Sequence, residues 1–278
     1  MRILMLTNAA PNQAALARKI HAKYPLAAIV SVSPDRASKN SSRKRMVDLI
    51  RRAAGALAGR PLGVAWQMMQ RHYAREFSGL PDVQVLHTHD INSREVSALA
   101  AEIAAELVVV SGTNLLRQPL IEMLLRSGRV MNLHTGVSPY VKGGPNCTNW
   151  CLALGQPELI GNTIMWLDSG IDSGNIVTTE FTPLTGVGSL AALQLRVMEH
   201  AHDLYLRAIG HFVAGSDLPS VPQTTLPNHR LFYTRHWTIP VMLRAQRTFA
   251  RHVRVKFANL NVRPDLPAIP LPPIRARD

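Results

Sequence analysis

Cysteine is nearly absent from this 278-residue chain, with Cys147 and Cys151 the only two. No disulfide framework can be built from them, which excludes the small disulfide-stapled secreted folds. They stand at i, i+4 in a helical pattern with no histidine partners beside them, a poor zinc site. Plain reduced thiols are the expectation. Long apolar runs are missing as well, and none approaches the roughly 20 residues that span a bilayer. The apolar opening of MRILMLTN is only about six residues long and leads straight into a polar turn and a helix, so it reads as a first strand and not as a signal peptide. A cytoplasmic location is the expectation. Hydrophobic content of 46% nevertheless suffices for a substantial core, in one large or two smaller domains.

Acidic residues are scarce at both ends. Residues 1–80 carry 14 Lys/Arg against 3 Asp/Glu, and residues 228–278 carry 10 against 2. The segment between them, 81–227, reverses the balance with 7 against 13. The formal charge of +13 therefore sits in the flanks. Basic flanks recruit phosphates, nucleic acid or an anionic membrane surface, and they equally serve solubility.

The patterns that are present read as an α/β chain. MRILMLTN and LAAIVSVSP are strands around a helix at 11–23, the opening of a Rossmann-like, doubly wound, mostly parallel sheet with helices on both faces. Residues 34–80 form an insertion of a polar loop and two helical pieces, 46–60 and 63–77, the first an amphipathic helix with arginines on its rim. A helix covering one sheet edge is the simpler expectation for it, and peripheral membrane contact the alternative. VQVLHT is a third strand, LVVVSG a central strand buried on both faces, and RVMNLHTG the next. Thr163–Asp168 and Asn175–Leu184 alternate as antiparallel neighbours. A long helix closes the main domain, set at 1–215, and the Pro/Arg-rich tail, 216–278, has one or two helices and a polyproline-like end. The tail is too small for much of a core of its own and is expected to pack as an appendage.

One stretch gathers the chemistry. Asn132 and His134 lie two residues apart on a strand, so an amide and an imidazole project side by side at its carboxyl end. Ligands of open parallel sheets bind outside those ends. Asp172 follows in a Ser-Gly-Ile-Asp-Ser-Gly loop. An amide and an imidazole aimed at one point can hold an oxyanion, and a nearby carboxylate can fix the imidazole's charge or take a proton. A second polar cluster, His87, His89, Asp90 and Asn92, follows the third strand. It reads as a substrate-facing wall, as a turn, or as two histidines and an aspartate for a metal.

NLHTGVSPYVKGG, a Trp-bearing helix and then GNTIMWLDSGIDSGNIV resemble the folate-dependent formyltransferase family, which includes glycinamide ribonucleotide, methionyl-tRNA and amino-sugar N-formyltransferases. The matching residues are Asn132, His134, Pro139, Lys142, Gly143, Gly161, Thr163, Asp172 and Gly174. The resemblance covers about three quarters of the chain and implies Asn132, His134 and Asp172 as the catalytic trio. It implies 10-formyltetrahydrofolate as formyl donor, held by Thr113, Asn114, Leu115 and Leu116 and by Asp168, Ser169, Gly170 and Ile171, with no metal. His89, Asn92, Tyr140 and Lys142 are candidates for contact with the acceptor.

The chain departs from the family pattern at Met165, where a histidine is frequent, and at Val137-Ser138-Pro139, where Leu-Leu-Pro is common. The second departure resembles the sugar- and natural-product-modifying members. The implied acceptor is a small-molecule amine, an amino-sugar nucleotide first and a natural-product intermediate second. Methionyl-tRNA is the alternative partner, against which the short tail argues. A hydrolase releasing formate, and a folate- or nucleotide-binding module without chemistry, are the other readings. Oligomeric state is not readable from the sequence.

Overall fold

A run such as Leu107–Val110, apolar at every position, can be stable only with both faces covered, and all four residues are buried. In the structure, a computed structural model, this strand lies mid-sheet. Residues 1–33, 45–144, 146–167, 174–258, 260, 266 and 268–273 are described, with backbone alone for 45–54. The strands are β1 (Ile3–Asn8), β2 (Leu26–Val32), β3 (Gln84–Thr88), β4 (Leu107–Val110), β5 (Arg129–His134), β6 (Lys142–Gly143), β7 (Gly161–Trp166), β8 (Ile176–Phe181) and β9 (Leu231–Phe232). The helices are α1 (Pro11–Lys23), α2 (Arg45–Glu76), α3 (Arg94–Ile103), α4 (Gln118–Ser127), α5 (Cys147–Ala153), α6 (Leu190–Val213) and α7 (Ile239–Arg254).

Seven strands form one sheet in the order β3-β2-β1-β4-β5-β7-β8. The first five run parallel, while β7 is antiparallel to both β5 and β8. The expected α/β class, with a mostly parallel sheet covered on both faces, is what the chain adopts. Alternate side chains go to opposite layers. Ile3, Met5, Val109, Met131 and Leu133 join α1 and α6, whereas Leu4, Leu6, Val108, Val110 and Val130 join α3 and α4. Strand order reverses between β1 and β4, which opens a crevice at their carboxyl ends.

Two expectations need correction. The helical pieces at 46–60 and 63–77 are one helix, α2, that runs through Pro61. Pro61 costs it a hydrogen bond, but Leu62, Ala65, Met69 and Tyr73 are buried at spacings of 3, 4 and 4 residues and carry it through. Nor does α2 cover a sheet edge; it lies outside the helical layer, packed on α1, α6 and α7. The loop before it, 34–44, is outside the described residues.

Among the described residues the tail has one α-helix, α7, whose Val241, Ala245 and Phe249 enter the same core as Val137, Tyr140 and Trp150. Its extended end runs past β8, where Thr179 N–H donates to the Ile269 carbonyl at 2.9 Å and Ile269 N–H to Thr179 Oγ1 at 2.8 Å. An exposed edge strand invites unwanted pairing, and here the tail covers it.

Candidate active site

The position of Asn132 and His134 follows from register. Asn132 lies opposite Val110 of β4 and Met165 of β7, and His134 lies opposite Thr163. Both are half-buried. Met131 and Leu133 turn into the α1/α6 core, so Asn132 and His134 project from the other face. The Asn132 carboxamide has no hydrogen-bond partner among the described residues. Buried and half-buried amides are normally satisfied, so an open donor at a strand's carboxyl end suits a ligand oxygen.

Tyr205 of α6 braces this strand end. Its buried hydroxyl accepts the Val110 N–H at 2.9 Å and donates to the Met131 carbonyl at 2.5 Å. The phenol thus ties the last residue of β4 to β5 at the residue before Asn132. Burial pushes its ionisation well above the ordinary phenol range, so it remains a neutral donor and acceptor.

His134 is packed by the loop that follows it. Its Nε2 lies 3.5 Å from Cys147 Sγ, and that thiol also donates to the Gly143 carbonyl at 3.3 Å. A Cβ at Gly136 would stand 2.7 Å from His134 Nε2 and 2.7 Å from the Val141 carbonyl, so only glycine fits against the imidazole. The Thr163 hydroxyl pins the same loop, donating to the Gly136 carbonyl at 2.7 Å and accepting the Ser138 N–H at 2.9 Å. At Gly161 a Cβ would meet the Glu180 carbonyl at 2.2 Å and Val137 Cγ2 at 2.6 Å. Gly161 and Thr163 thus serve the histidine through the loop it sits on.

The loop between β4 and α4 has a different character. The backbone N–H groups of Thr113, Asn114, Leu115 and Leu116 have no partner among the described residues. Leu115 is 56% exposed, and Leu116 is buried as the loop's anchor. Asn92 holds the loop open, donating through Nδ2 to the Leu115 carbonyl at 3.0 Å and accepting the Arg117 N–H on Oδ1 at 2.7 Å. At the loop's start, Asn8 Nδ2 donates to the Gly112 carbonyl at 2.5 Å. Unpaired peptide groups beside an exposed aliphatic side chain fit a flat heterocycle with donors and acceptors on its rim.

Comparison with known proteins decides the family. The family model described as "Formyl transferase" matches residues 1–209. The chain belongs to the formyl transferase family. By sequence it is 27% identical over 144 residues to the methionyl-tRNA formyltransferase of Levilactobacillus brevis, a match covering 51% of this chain and 44% of that protein. The match thus spans less than half the length of that relative.

By structure the chain aligns with a protein from Mycobacterium tuberculosis at TM-score 0.56 and 18% identity, covering 89% of this chain and 86% of that one. A sugar N-formyltransferase from Shewanella sp. aligns at TM-score 0.53 and 14% identity, covering 88% and 87%. These likenesses are of fold.

Asp172 and the donor-loop candidates Asp168, Ser169, Gly170 and Ile171 lie outside the described residues. Lys142 Nζ donates to Gln223 Oε1 at 3.3 Å, and Gln223 Nε2 donates to the Gly174 carbonyl at 2.9 Å. Lys142 is thereby tied to the chain that emerges from the aspartate loop. Tyr140, at 1% exposure, is a core residue beneath the histidine loop and offers no surface to an acceptor. His87 and His89 are exposed at the end of β3, four strand spacings or about 19 Å across the sheet from β5. Asn92 reaches back, but to the β4–α4 backbone and not to open crevice. No group of three metal-ligating side chains occurs among the described residues.

Sequence reading missed Tyr205, Cys147 and the bracing role of Asn92. Nothing in the sequence signals Tyr205, which lies 73 residues from Asn132 within an apolar helix face. Cys147 was visible only as half of a pair with Cys151.

Proposed function

We propose that the protein is an N-formyltransferase that moves a formyl group from 10-formyltetrahydrofolate to the amine of a small molecule, an amino-sugar nucleotide first. The observation that carries this reading is the open Asn132 amide beside His134, braced from three sides at the sheet's carboxyl edge. The donor would supply an electrophilic formyl carbon, its ring lying against Leu115 and the peptide groups of Thr113 to Leu116. The neutral acceptor amine adds to that carbon. Asn132 Nδ2 and the His134 imidazole then donate to the oxygen that becomes negative, and this differential binding lowers the barrier. Asp172 orients the imidazole and assists removal of the amine proton, directly or through water, and as the oxyanion collapses the bond from the formyl carbon to the donor's nitrogen breaks, that nitrogen taking up a proton and leaving as tetrahydrofolate. Residues 1–215 are the catalytic unit, and 216–278 are an appendage that braces its loop.

The sugar acceptor is supported by basic flanks that suit phosphates and by the fold shared with the Shewanella enzyme over 88% of the chain. Methionyl-tRNA is the second acceptor to test, because the sequence relatives bear that name. The test is a panel of amino-sugar nucleotides, amino acids and charged tRNA incubated with 10-formyltetrahydrofolate, read by the mass gain of one formyl group. Transfer to a sugar amine that Asp172→Asn abolishes is the expected result. Identical behaviour of wild type and Asp172→Asn on every accepted amine would overturn the catalytic reading, and transfer to charged tRNA alone would overturn the acceptor.

A further inference from the structure

The helix α2 has two faces, and the catalytic reading uses neither. One buries Leu62, Ala65, Met69 and Tyr73. At 100° per residue, the side opposite that seam carries Leu57, Arg60, Val64, Met68, Arg71 and Arg75. Leu57 is 70% exposed, Val64 42% and Met68 52%. Three large aliphatic side chains on one stripe are more than scattered surface apolarity. The helix α7 adjoins: Gln246 Nε2 donates to the Ala58 carbonyl at 2.6 Å, and Met242 lies against Gly59. The solvent side of α7 adds exposed Arg244, Arg247, Arg251 and Arg254 and a part-exposed Leu243. Ile239–Arg254 contains no acidic residue, and Arg45–Glu76 holds six arginines against Asp48 and Glu76. None of the arginines named on the two faces pairs with a carboxylate among the described residues.

We infer that the outer face of α2, continued by α7, is a docking surface for an anionic lipid bilayer. The occupant follows from the mixture. A nucleic acid would satisfy the arginines but leave Leu57, Val64 and Met68 in water. A second copy of the chain would bring arginine against arginine, with no carboxylate on either outward stripe to neutralise them. Anionic head groups meet the guanidinium groups while the aliphatic side chains enter the acyl boundary, the arrangement of an interfacial amphipathic helix. No described helix is long and apolar enough to cross a membrane, so the contact is peripheral. The inference stands on the α2 and α7 surfaces and is independent of the acceptor.

The experiment is sedimentation of the full-length protein with vesicles of phosphatidylcholine, with and without phosphatidylglycerol. Two triple variants accompany it, Leu57→Gln/Val64→Gln/Met68→Gln and Arg60→Gln/Arg71→Gln/Arg75→Gln, each checked for wild-type circular dichroism. All six side chains are exposed, so the fold is expected to persist. Wild type should bind only the anionic vesicles, and each triple variant should partition about tenfold more weakly. Three results would overturn the inference. One is no binding by wild type, or equal binding to both vesicle types. Another is wild-type binding by the aliphatic variant, which reduces the face to a generic polyanion site. The third is a wild-type dimer in light scattering that the aliphatic variant dissolves, which gives the face to a second copy.

Discussion

Glycine at 136 is set by the imidazole beside it, because any Cβ there occupies the space of His134 Nε2 and the Val141 carbonyl. Gly136→Ala must push the ring or the loop by a large fraction of an ångström. A misplacement of that order in a catalytic group slows turnover by about 100-fold. The expected result is a fall in kcat of that size together with a lowered Tm, since overpacking against the Val141 carbonyl costs about 1–3 kcal/mol, measured by steady-state kinetics and thermal melts. Tyr205→Phe removes a buried hydroxyl and strands the Val110 N–H and the Met131 carbonyl, at a cost of about 1–3 kcal/mol for each group left unpaired. Denaturant unfolding should show that loss, and kcat should fall with it because the tie between β4 and β5 next to Asn132 is lost. At this scale the shared face of Asn132 and His134 at a strand end was readable, since residues i and i+2 of a strand project to the same side. Tyr205 was not readable, because its role rests on a tertiary contact that no local pattern encodes.

At the scale of elements, the helices around α6 carry a buried titration. His202 is buried between α1, α2 and α6, with Lys19 Nζ 3.5 Å from its Nδ1 and its Nε2 without a partner among the described residues. Burial, reinforced by Lys19 and opposed by Glu199, holds its pKa down at about 3 from an ordinary 6.5. Between those two values the unfolded chain binds the proton and the folded one does not, so stability falls as pH drops through that window. Glu180, held down to about 2 from 4.5 by hydrogen bonds from His200 and Arg207 against its own desolvation, loses its contribution at lower pH still. Thermal melts from pH 7 to pH 5 should show a decline in Tm for wild type that is shallower in His202→Gln.

The tail works as an element too. β9 pairs in parallel with Lys142–Gly143, and Phe232 stacks on Trp150 at 4.3 Å between ring centroids. Trp150 Nε1 donates to the Gly144 carbonyl at 3.0 Å, so the stack and the loop beyond His134 move together. Phe232→Ala should lower Tm and raise KM, a result read from the same melts and kinetics. The sequence disclosed every strand of the seven-stranded sheet, because β-branched runs bounded by turns are local signals. It did not disclose that α2 is continuous through Pro61 or that the tail shares the main core, because tertiary packing decided both.

Over the whole molecule, charge and chemistry are segregated. The acidic middle of the chain holds the strand end where formyl transfer is proposed, and the basic flanks hold α2 and α7, where the lipid surface is proposed. The family and the sheet were readable because the motif from Asn132 to Gly174 is contiguous in sequence. The acceptor was not, because it depends on how distant loops converge. The central claim is that the Asn132 amide stabilises an oxyanion and does not hold the donor. It is tested most directly by single-turnover formyl transfer with Asn132→Ala at saturating 10-formyltetrahydrofolate, with donor affinity measured in parallel. The expected result is a rate about 100- to 1,000-fold lower with donor affinity unchanged. A wild-type rate at saturation, or a loss confined to donor binding, would contradict it.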